Sequence, residues 1–404
     1  MKILWISPFF LHPTNRGGQI RTLGTLKELH RHHEVHFCAL NPPDNPEGPA
    51  RSSEYCSRAF EVRHAPTPRS SIKIIPELLQ AIASPIPMAV SRYASQELRT
   101  LVQERLSTEH YDCVVCDFLA CAPNLSDMAR AVLFEHNVET TIWQRHEQQA
   151  TSWPRKLFFG MQARKMARYE RNICRQSRFV IAVSELDAKR MREDFGIEHV
   201  AAVRTGVDVD FLQPPEASEP VGDLMFSGSM DWLPNVDAME YFLDEIFPLI
   251  LAQRPATTLT IAGRSPDARV TRAAATYPGV TVTGSVPDMR PYLWGSSLSI
   301  IPLRIGGGTR LKVYESMAAG TPIVSTTVGA EGLEYSDGKD IVIADTPRDF
   351  ADACLHMLEN DARRSQIARA ARQLVIDNFS WSAVTPEFAA LLEQNSDKEM
   401  SITQ

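Results

Sequence analysis

No stretch of 18 uncharged apolar residues occurs in the 404-residue chain, so it offers no candidate transmembrane helix. Positive charge is not in excess either. The 42 Lys and Arg face 49 Asp and Glu, a net charge of −7, which argues against a nucleic-acid binder. Cysteine is sparse: the seven, at positions 38, 56, 113, 116, 121, 174 and 354, form no disulfide ladder. Cys113 and Cys116 have C-x-x-C spacing but lie in a strand pattern with no second pair. The cysteines therefore read as small core residues in a reducing, cytoplasmic compartment. A secretory leader is not expected either. The apolar run at the start is short, contains Pro8 and has no small-residue cleavage site, so residues 1–7 read as a first strand.

What is present is ordinary globular composition, 44% hydrophobic and 23% charged, in a length that predicts two domains. Short apolar strands alternate with helical patterns in both halves. Residues 1–7 are followed by Gly17-Gly18, by a helix with Ile20, Leu23, Leu26 and Leu29 inward, and by a strand at 34–40. This places a double glycine at a helix start beside the carboxyl end of a strand. Open α/β sheets bind ligands there, although a helix start needing room would look the same. The loop is not GxGxxG, so no nicotinamide site is read from it. Residues 42–71 carry little periodicity, and 74–107 read as helical. Further strands are expected at 111–116, 131–134, 179–183 and 200–203.

The strand at 131–134 runs into Glu135-His136-Asn137-Val138-Glu139. A polar cluster at a strand's carboxyl end suits a pocket, and a lone His also suits a hydrogen-bonded structural role. Residues 153–176 hold seven basic residues (155, 156, 164, 165, 168, 171, 175) and one acid, Glu170, among Trp153, Leu157, Phe158, Phe159, Met161 and Met166. Two readings stay open: a packed helix with a solvated basic face, or a helix lying on an anionic membrane surface. Asp208-Val209-Asp210 has the spacing of a metal-binding D-x-D. It precedes the linker-like 213–220 (QPPEASEP) and reads as turn chemistry. The α/β rhythm then restarts, with strands at 223–227, 258–262, 280–283 and 341–344 and helices at 234–250, 347–359, 361–377 and from 380.

The most informative stretch is 305–320, IGGGTRLKVYESMAAG, between apolar runs at 298–303 and 322–325. It reads as strand, glycine loop, helix, strand. Glycines let the backbone approach a ligand closely. A helix start presents unpaired N–H groups and a partial positive charge. Arg310 and Lys312 add two formal charges, which makes the place a site for a dianion, most simply a diphosphate. The alternative is a tight turn with solvated cations, and Glu315 in an i,i+3 ion pair with Lys312. The loop lacks GxxxxGK[ST] and so is no Walker loop.

Residues 312–324, KVYESMAAGTPIV, closely resemble the donor-binding signature Lys-x-x-Glu-Ala-Met-Ala-x-Gly-x-Pro-Val-Val of GT-B glycosyltransferases of the group 1, GT4-like type. The loop resembles that of a subgroup with GGGTRxK. Where the family often has Glu, seven residues and Glu, this chain has Gly307 and Glu315. Residues 135–139 resemble the family's His-Asn-x-Glu element, 205–208 (TGVD) its Asn-Gly-Val-Asp crossover, and 328–333 (VGAEGL) its loop under the diphosphate.

The resemblance implies an α/β GT-B fold, two facing Rossmann-like doubly wound domains with an interdomain cleft. It implies an acceptor-side domain over 1–210, completed by a helix at 380–395, and a donor-binding domain over 221–379. It implies transfer of a sugar from a nucleotide-diphospho-sugar to a glycan, lipid-linked or small-molecule acceptor, retaining and metal-independent, in polysaccharide assembly. The donor is a substrate, and no cofactor is implied. The enzyme would be cytoplasmic or peripheral at the inner membrane face, with 153–176 as the membrane contact.

Residue by residue, the resemblance implies that Arg310 and Lys312 meet the diphosphate, His136 the transferred sugar without acting as a base, and Glu315 the ribose hydroxyls. Gly17 and Gly18 would lie near the donor phosphates and the acceptor. Gly228 and Ser229 form the first loop of the second domain, where many relatives carry an Arg and a Lys that are missing here. Arg264 and Val286 lie in loops flanking the base, Gly307, Gly308 and Thr309 in the glycine loop, and Glu331 under the diphosphate. A GT-B sugar-nucleotide epimerase and a catalytically inactive nucleotide-sugar-binding subunit share this resemblance.

Overall fold

The computed structural model describes residues 1–14, 17–65, 67, 77, 81–150, 152–305 and 310–396. The chain divides into two compact units: Met1–Thr205 with the segment from Val384 onward, and Gly206–Ala383.

Unit 1 carries β1 (Lys2–Ser7), β2 (Glu34–Asn41), β3 (Arg58–Arg63), β4 (Cys113–Asp117), β5 (Ala131–Glu135), β6 (Phe179–Ala182) and β7 (Val200–Ala202). They form one sheet in the order β3-β2-β1-β4-β5-β6-β7, all parallel. Parallel strands need helical crossovers and are covered on both faces, so they read as unbroken apolar runs rather than alternating ones. Successive side chains feed opposite layers. Leu4, Ile6, Cys38, Cys116 and Leu133 pack on one face. Ile3, Trp5, Phe37, Val115 and Val132 pack on the other. The second layer is closed by Phe388 and Leu392 of the helix Trp381–Gln394. Phe388 lies 5.9 Å from the Trp5 ring and 4.9 Å from that of Phe134. All seven cysteines are buried.

Two expectations need correction in this unit. The stretch 42–71, which showed little periodicity, contains β3. It is an edge strand whose Arg58, Glu61 and Arg63 are exposed, and only Val62 is fully buried. In the helix Gly17–His30, Leu26 and Leu29 are buried as expected, but Ile20 is 40% exposed. Arg21, Thr22 and Thr25 are buried instead. That face looks onto a buried carboxylate, so polar residues occupy it.

Unit 2 carries β8 (Gly222–Ser227), β9 (Leu259–Ala262), β10 (Val280–Gly284), β11 (Ser296–Ile301), β12 (Ile323–Ser325) and β13 (Val342–Ile343). Their order is β10-β9-β8-β11-β12-β13, again parallel throughout. A single core joins Phe226, Ile261, Ile300 and Val324 of the sheet to Phe242, Phe247, Met317 and Phe350 of the helices. Asp208 Oδ1 accepts the Phe211 N–H at 2.9 Å, so the D-x-D pair shapes a turn. Among the described residues no helix is long and apolar enough to cross a membrane.

Each sheet grows outward in both directions from a central pair, β1 with β4 and β8 with β11. The crevice at the carboxyl ends of such a pair is where open α/β sheets place ligands. Both clusters described next sit there, each within its own unit.

Candidate active site

In unit 2, β8 ends and the chain turns through Gly228 and Ser229 into the helix Leu233–Tyr241. The Gly228 N–H donates to Ala262 O at 3.0 Å and the Gly263 N–H to Gly284 O at 3.1 Å, which ties the ends of β8, β9 and β10 together. A Cβ on Gly263 would fall 1.7 Å from Gly228 O, so only glycine lets these loops touch. Lys312, in the first turn of the helix Leu311–Ala318, reaches into this nest. Its Nζ donates to Asn235 Oδ1 at 2.8 Å and lies 4.2 Å from the centroid of the Phe226 ring. Asn235 Nδ2 donates in turn to Ser229 O at 2.8 Å, and Arg264 Nε to Ser229 Oγ at 2.8 Å.

Arg310, at the N-cap of the Lys312 helix, is only 4% exposed. Its Nη2 donates to Val328 O at 3.4 Å, tying it to the loop that carries the exposed Glu331. The structure thus gathers Gly228, Ser229, Arg264 and Lys312, and links Arg310 to the 328–333 loop. Val286 is half-buried in the loop after β10. Gly307, Gly308 and Thr309 lie outside the described residues.

Burial pushes the Lys312 ammonium down to about 7, reinforced by Arg310 and only partly opposed by Glu315. Burial holds the Glu315 carboxyl above its usual range, against the pull of Lys312. The i,i+3 ion pair of the alternative reading does not form. Among the described residues Glu315 accepts no side-chain hydrogen bond, and Lys312 has only Asn235. A buried guanidinium and a half-buried ammonium at a helix start, with no carboxylate among the described residues bonded to Lys312, make a place for an anion. The half-buried acceptor Glu315 lies one turn further along.

In unit 1 the polar cluster is built on Asp117, the last residue of β4 and fully buried. Its carboxylate accepts from Ser7 Oγ at 3.1 Å, Thr22 Oγ1 at 3.0 Å and His136 Nε2 at 2.7 Å. A carboxylate at Nε2 fixes the ring proton there and leaves Nδ1 an acceptor. Arg21 Nη1 occupies that acceptor at 3.1 Å, and Arg21 Nε donates to Thr205 Oγ1 at 2.8 Å. Burial lowers the His136 pKa against the pull of Asp117, so the ring is neutral near pH 7. Burial brings the Arg21 guanidinium down to about 10.

Phe118, at φ 67°, stacks on the His136 ring with centroids 3.8 Å apart and planes 11° apart. A Cβ on Gly18 would meet the Phe118 ring at 2.5 Å, so this glycine is required for the stack, while Gly17 has open space around it. His136, singled out from sequence, therefore has both ring nitrogens bonded. Its partners Asp117, Phe118 and Arg21, and Asn235 in unit 2, were not picked out from sequence. Asp117 ends its strand as His136 follows its own, and Arg21, Thr22 and Thr25 interrupt an apolar helix face. Both signals were readable. The stacking of Phe118 and the tie from Asn235 to Lys312 had none.

Two parallel doubly wound α/β units, each with a polar cluster at its own switch point, define the GT-B class. A model described as Glycosyltransferase Family 4 matches residues 16–211, and one described as Glycosyl transferases group 1 matches 222–360. The chain belongs to these group 1, GT4-like glycosyltransferases and is an enzyme of that kind. It is 21% identical, over 98% of its own length and all of the other, to an "uncharacterized 44.6 kDa protein in cps region" of Klebsiella pneumoniae. It is 23% identical, over 52% of each chain, to a D-inositol 3-phosphate glycosyltransferase of Nocardioides. The Anabaena protein HepE, solved with UDP and glucose, shares the fold at a TM-score of 0.64 and 14% identity, covering 97% of this chain and 99% of that one. HepE has also been solved with UDP-glucose.

Proposed function

We propose that this glycosyltransferase takes its sugar from a nucleotide-diphospho-sugar and passes it to a glycan, lipid-linked or small-molecule acceptor in polysaccharide assembly, retaining the anomeric configuration. The observation that carries this reading is the pair at a helix start in unit 2, Arg310 buried and Lys312 half-buried, with no carboxylate among the described residues bonded to Lys312. A leaving diphosphate gains negative charge as the glycosidic bond stretches, and preorganised cations aimed at that charge lower the barrier. The pair supplies the positive charge that a metal would otherwise bring. Ser229 and Arg264 line the same nest, and the open carboxylate of Glu315 suits two ribose hydroxyl donors. HepE's complexes with UDP and UDP-glucose favour a uridine donor, and a guanosine donor is the second choice.

The unit 1 cluster contributes no base. The Nε2 proton of His136 is committed to Asp117 and its Nδ1 to Arg21. In a retaining transfer the departing phosphate can take the acceptor's proton. His136 would instead meet a sugar hydroxyl that displaces Arg21 from Nδ1. A sugar-nucleotide epimerase would use the same donor site without an acceptor, and an inactive subunit would bind the donor without turning it over. Product analysis with and without acceptor separates the three.

The test is Arg310→Ala and Lys312→Ala in protein that still folds. Each is expected to cut turnover roughly 10²–10³-fold, the range for losing one preorganised donor. Wild-type turnover in either variant overturns the assignment.

The helix Trp153–Gln176 suits attachment at a cytoplasmic membrane face. Trp153 is 75% and Leu157 60% exposed, one turn apart. Arg155, Lys156, Arg164, Arg168 and Arg171 are exposed along the same helix, and its only acid, Glu170, is buried. Apolar anchors among cations fit an anionic lipid surface. Wild type should float with phosphatidylserine vesicles and Trp153→Ser/Lys156→Ser should not. A wild type left in the pellet removes the membrane from this account.

A further inference from the structure

Lys312 is held by an amide where a carboxylate would be the ordinary partner for a buried ammonium. Asn235 is 2% exposed and bonded at both ends of its side chain. Its Oδ1 faces Lys312 Nζ at 2.8 Å and its Nδ2 faces Ser229 O at 2.8 Å. Those two partners settle which way the amide points, because an ammonium only donates and a carbonyl only accepts. The Asn235 backbone N–H donates to Trp232 O at 2.9 Å, which holds the residue at the start of its helix. A Cβ on Gly228 would sit 2.6 Å from Asn235 Nδ2 and 2.9 Å from Lys312 Nζ, so the glycine loop, the amide and the cation are in contact.

The surroundings of Lys312 can be taken element by element. Strand β8 brings the face of Phe226 and then Gly228, both uncharged. The helix Leu233–Tyr241 brings the neutral Asn235. The charged groups facing Lys312 among the described residues are Arg310 and Glu315, both from its own segment, and neither is bonded to it.

Building on the donor reading above, we propose that Asn235 is a positioning residue that aims Lys312 at the anion site without neutralising it, so that donor binding draws a proton from solvent onto Nζ. The balance is simple: the neutral amine and one proton give the ammonium, and the amine's N–H still donates to Asn235 before the ligand arrives. A dianionic diphosphate beside Nζ favours the charged form. Burial and Arg310 have already brought this ammonium down to about 7. At pH 8 the free site is mostly neutral and must take up its proton on binding. At pH 6 it is already charged. Aspartate at 235 would keep the bond to Lys312 but supply the countercharge in advance, and would set a carboxylate against Ser229 O.

The experiment is titration calorimetry of the full chain with UDP-glucose and with GDP-mannose, whose diphosphates are diesters that do not titrate near neutrality. Each is run in buffers of different ionisation enthalpy at pH 6 and pH 8, so that the protons exchanged are counted directly. Wild type should take up about one proton per donor at pH 8 and about none at pH 6. Lys312→Arg carries a fixed charge and should bind with about no uptake at either pH. Asn235→Asp should lose the uptake and bind roughly tenfold more weakly or worse, the equivalent of one pKa unit of lost differential interaction. A merely structural Asn235 would weaken binding in Asn235→Asp without changing the proton count. Binding at pH 8 with no uptake in wild type overturns the inference, as does wild-type uptake in Asn235→Asp. If neither donor binds at pH 6, where Lys312 is charged in any case, the donor reading itself falls and takes this inference with it.

Discussion

The two units repeat one architecture and place a polar cluster at the same topological position, yet the clusters are finished in opposite ways. In unit 1 a carboxylate, an imidazole and a guanidinium form one closed chain, from Ser7 and Thr22 through Asp117, His136 and Arg21 to Thr205. Opposite charges are in the same network, and both His136 nitrogens are used. In unit 2, among the described residues, Lys312 leans on a neutral amide and Glu315 takes no side-chain hydrogen bond. Buried polar groups are normally paired because leaving them unpaired costs free energy. A closed network therefore supports the fold, whereas an open one is kept at the expense of the fold for something that arrives later.

The largest expected effect tests this contrast directly. Asp117→Ala strands three buried donors, on Ser7, Thr22 and His136, and should destabilise unit 1 by about 3–5 kcal/mol, since each unsatisfied buried donor costs about 1–3 kcal/mol. Lys312→Met removes a buried amine that already lies over an aromatic ring. It should leave unit 2 within about 1 kcal/mol of wild type, because the lost bond to Asn235 is offset by lost desolvation. Urea denaturation of both variants measures this. Equal losses would mean that the open cluster is as structural as the closed one.

Much of this was legible in the sequence, for a physical reason. Parallel strands buried on both faces leave unbroken apolar runs, and among the described residues twelve of the thirteen strands fall on such runs. The exception, β3, is an edge strand with exposed charged residues at both ends. The cationic pair was legible because 310 and 312 belong to one local segment, where spacing along the chain is also spacing in space. The unit 1 network was not, because Arg21, Asp117, His136 and Thr205 come from four separate places in the chain. Ile20 was misplaced by the same blindness. Apolar periodicity points a helix toward an oily core, and here the core-facing side of the helix meets Asp117 instead.

The smaller effect sharpens the comparison through pH. Beside the closed network Glu170 accepts the N–H of Glu139 at 2.7 Å and that of Thr140 at 2.8 Å, and also the Thr140 hydroxyl. Burial pushes both Glu139 and Glu170 up to about 7 from an ordinary 4.5. Glu135 is raised well above that ordinary value by burial and by these neighbouring carboxylates. Between pH 4.5 and 7 the folded unit keeps protons that the unfolded chain has released. This contribution is therefore complete below 4.5, is lost as the pH rises to about 7, and is about 3 kcal/mol for one such group. The carboxyls are neighbours and share the effect, so their losses do not simply add. Lys312 works the other way. Its folded value of about 7 lies below the ordinary 10.5, so the unfolded chain holds the extra proton and unit 2 gains stability as pH rises through that window. The carboxyl contribution to the unfolding free energy should therefore fall from pH 5 to 7.5, the first limb, and the Lys312 contribution should rise from 7.5 to 9.5, the second, each taken as wild type minus variant so that the buried thiols and imidazoles cancel. Glu170→Gln should flatten only the first limb and Lys312→Met only the second. A single variant that flattened both would show that the two clusters do not titrate independently.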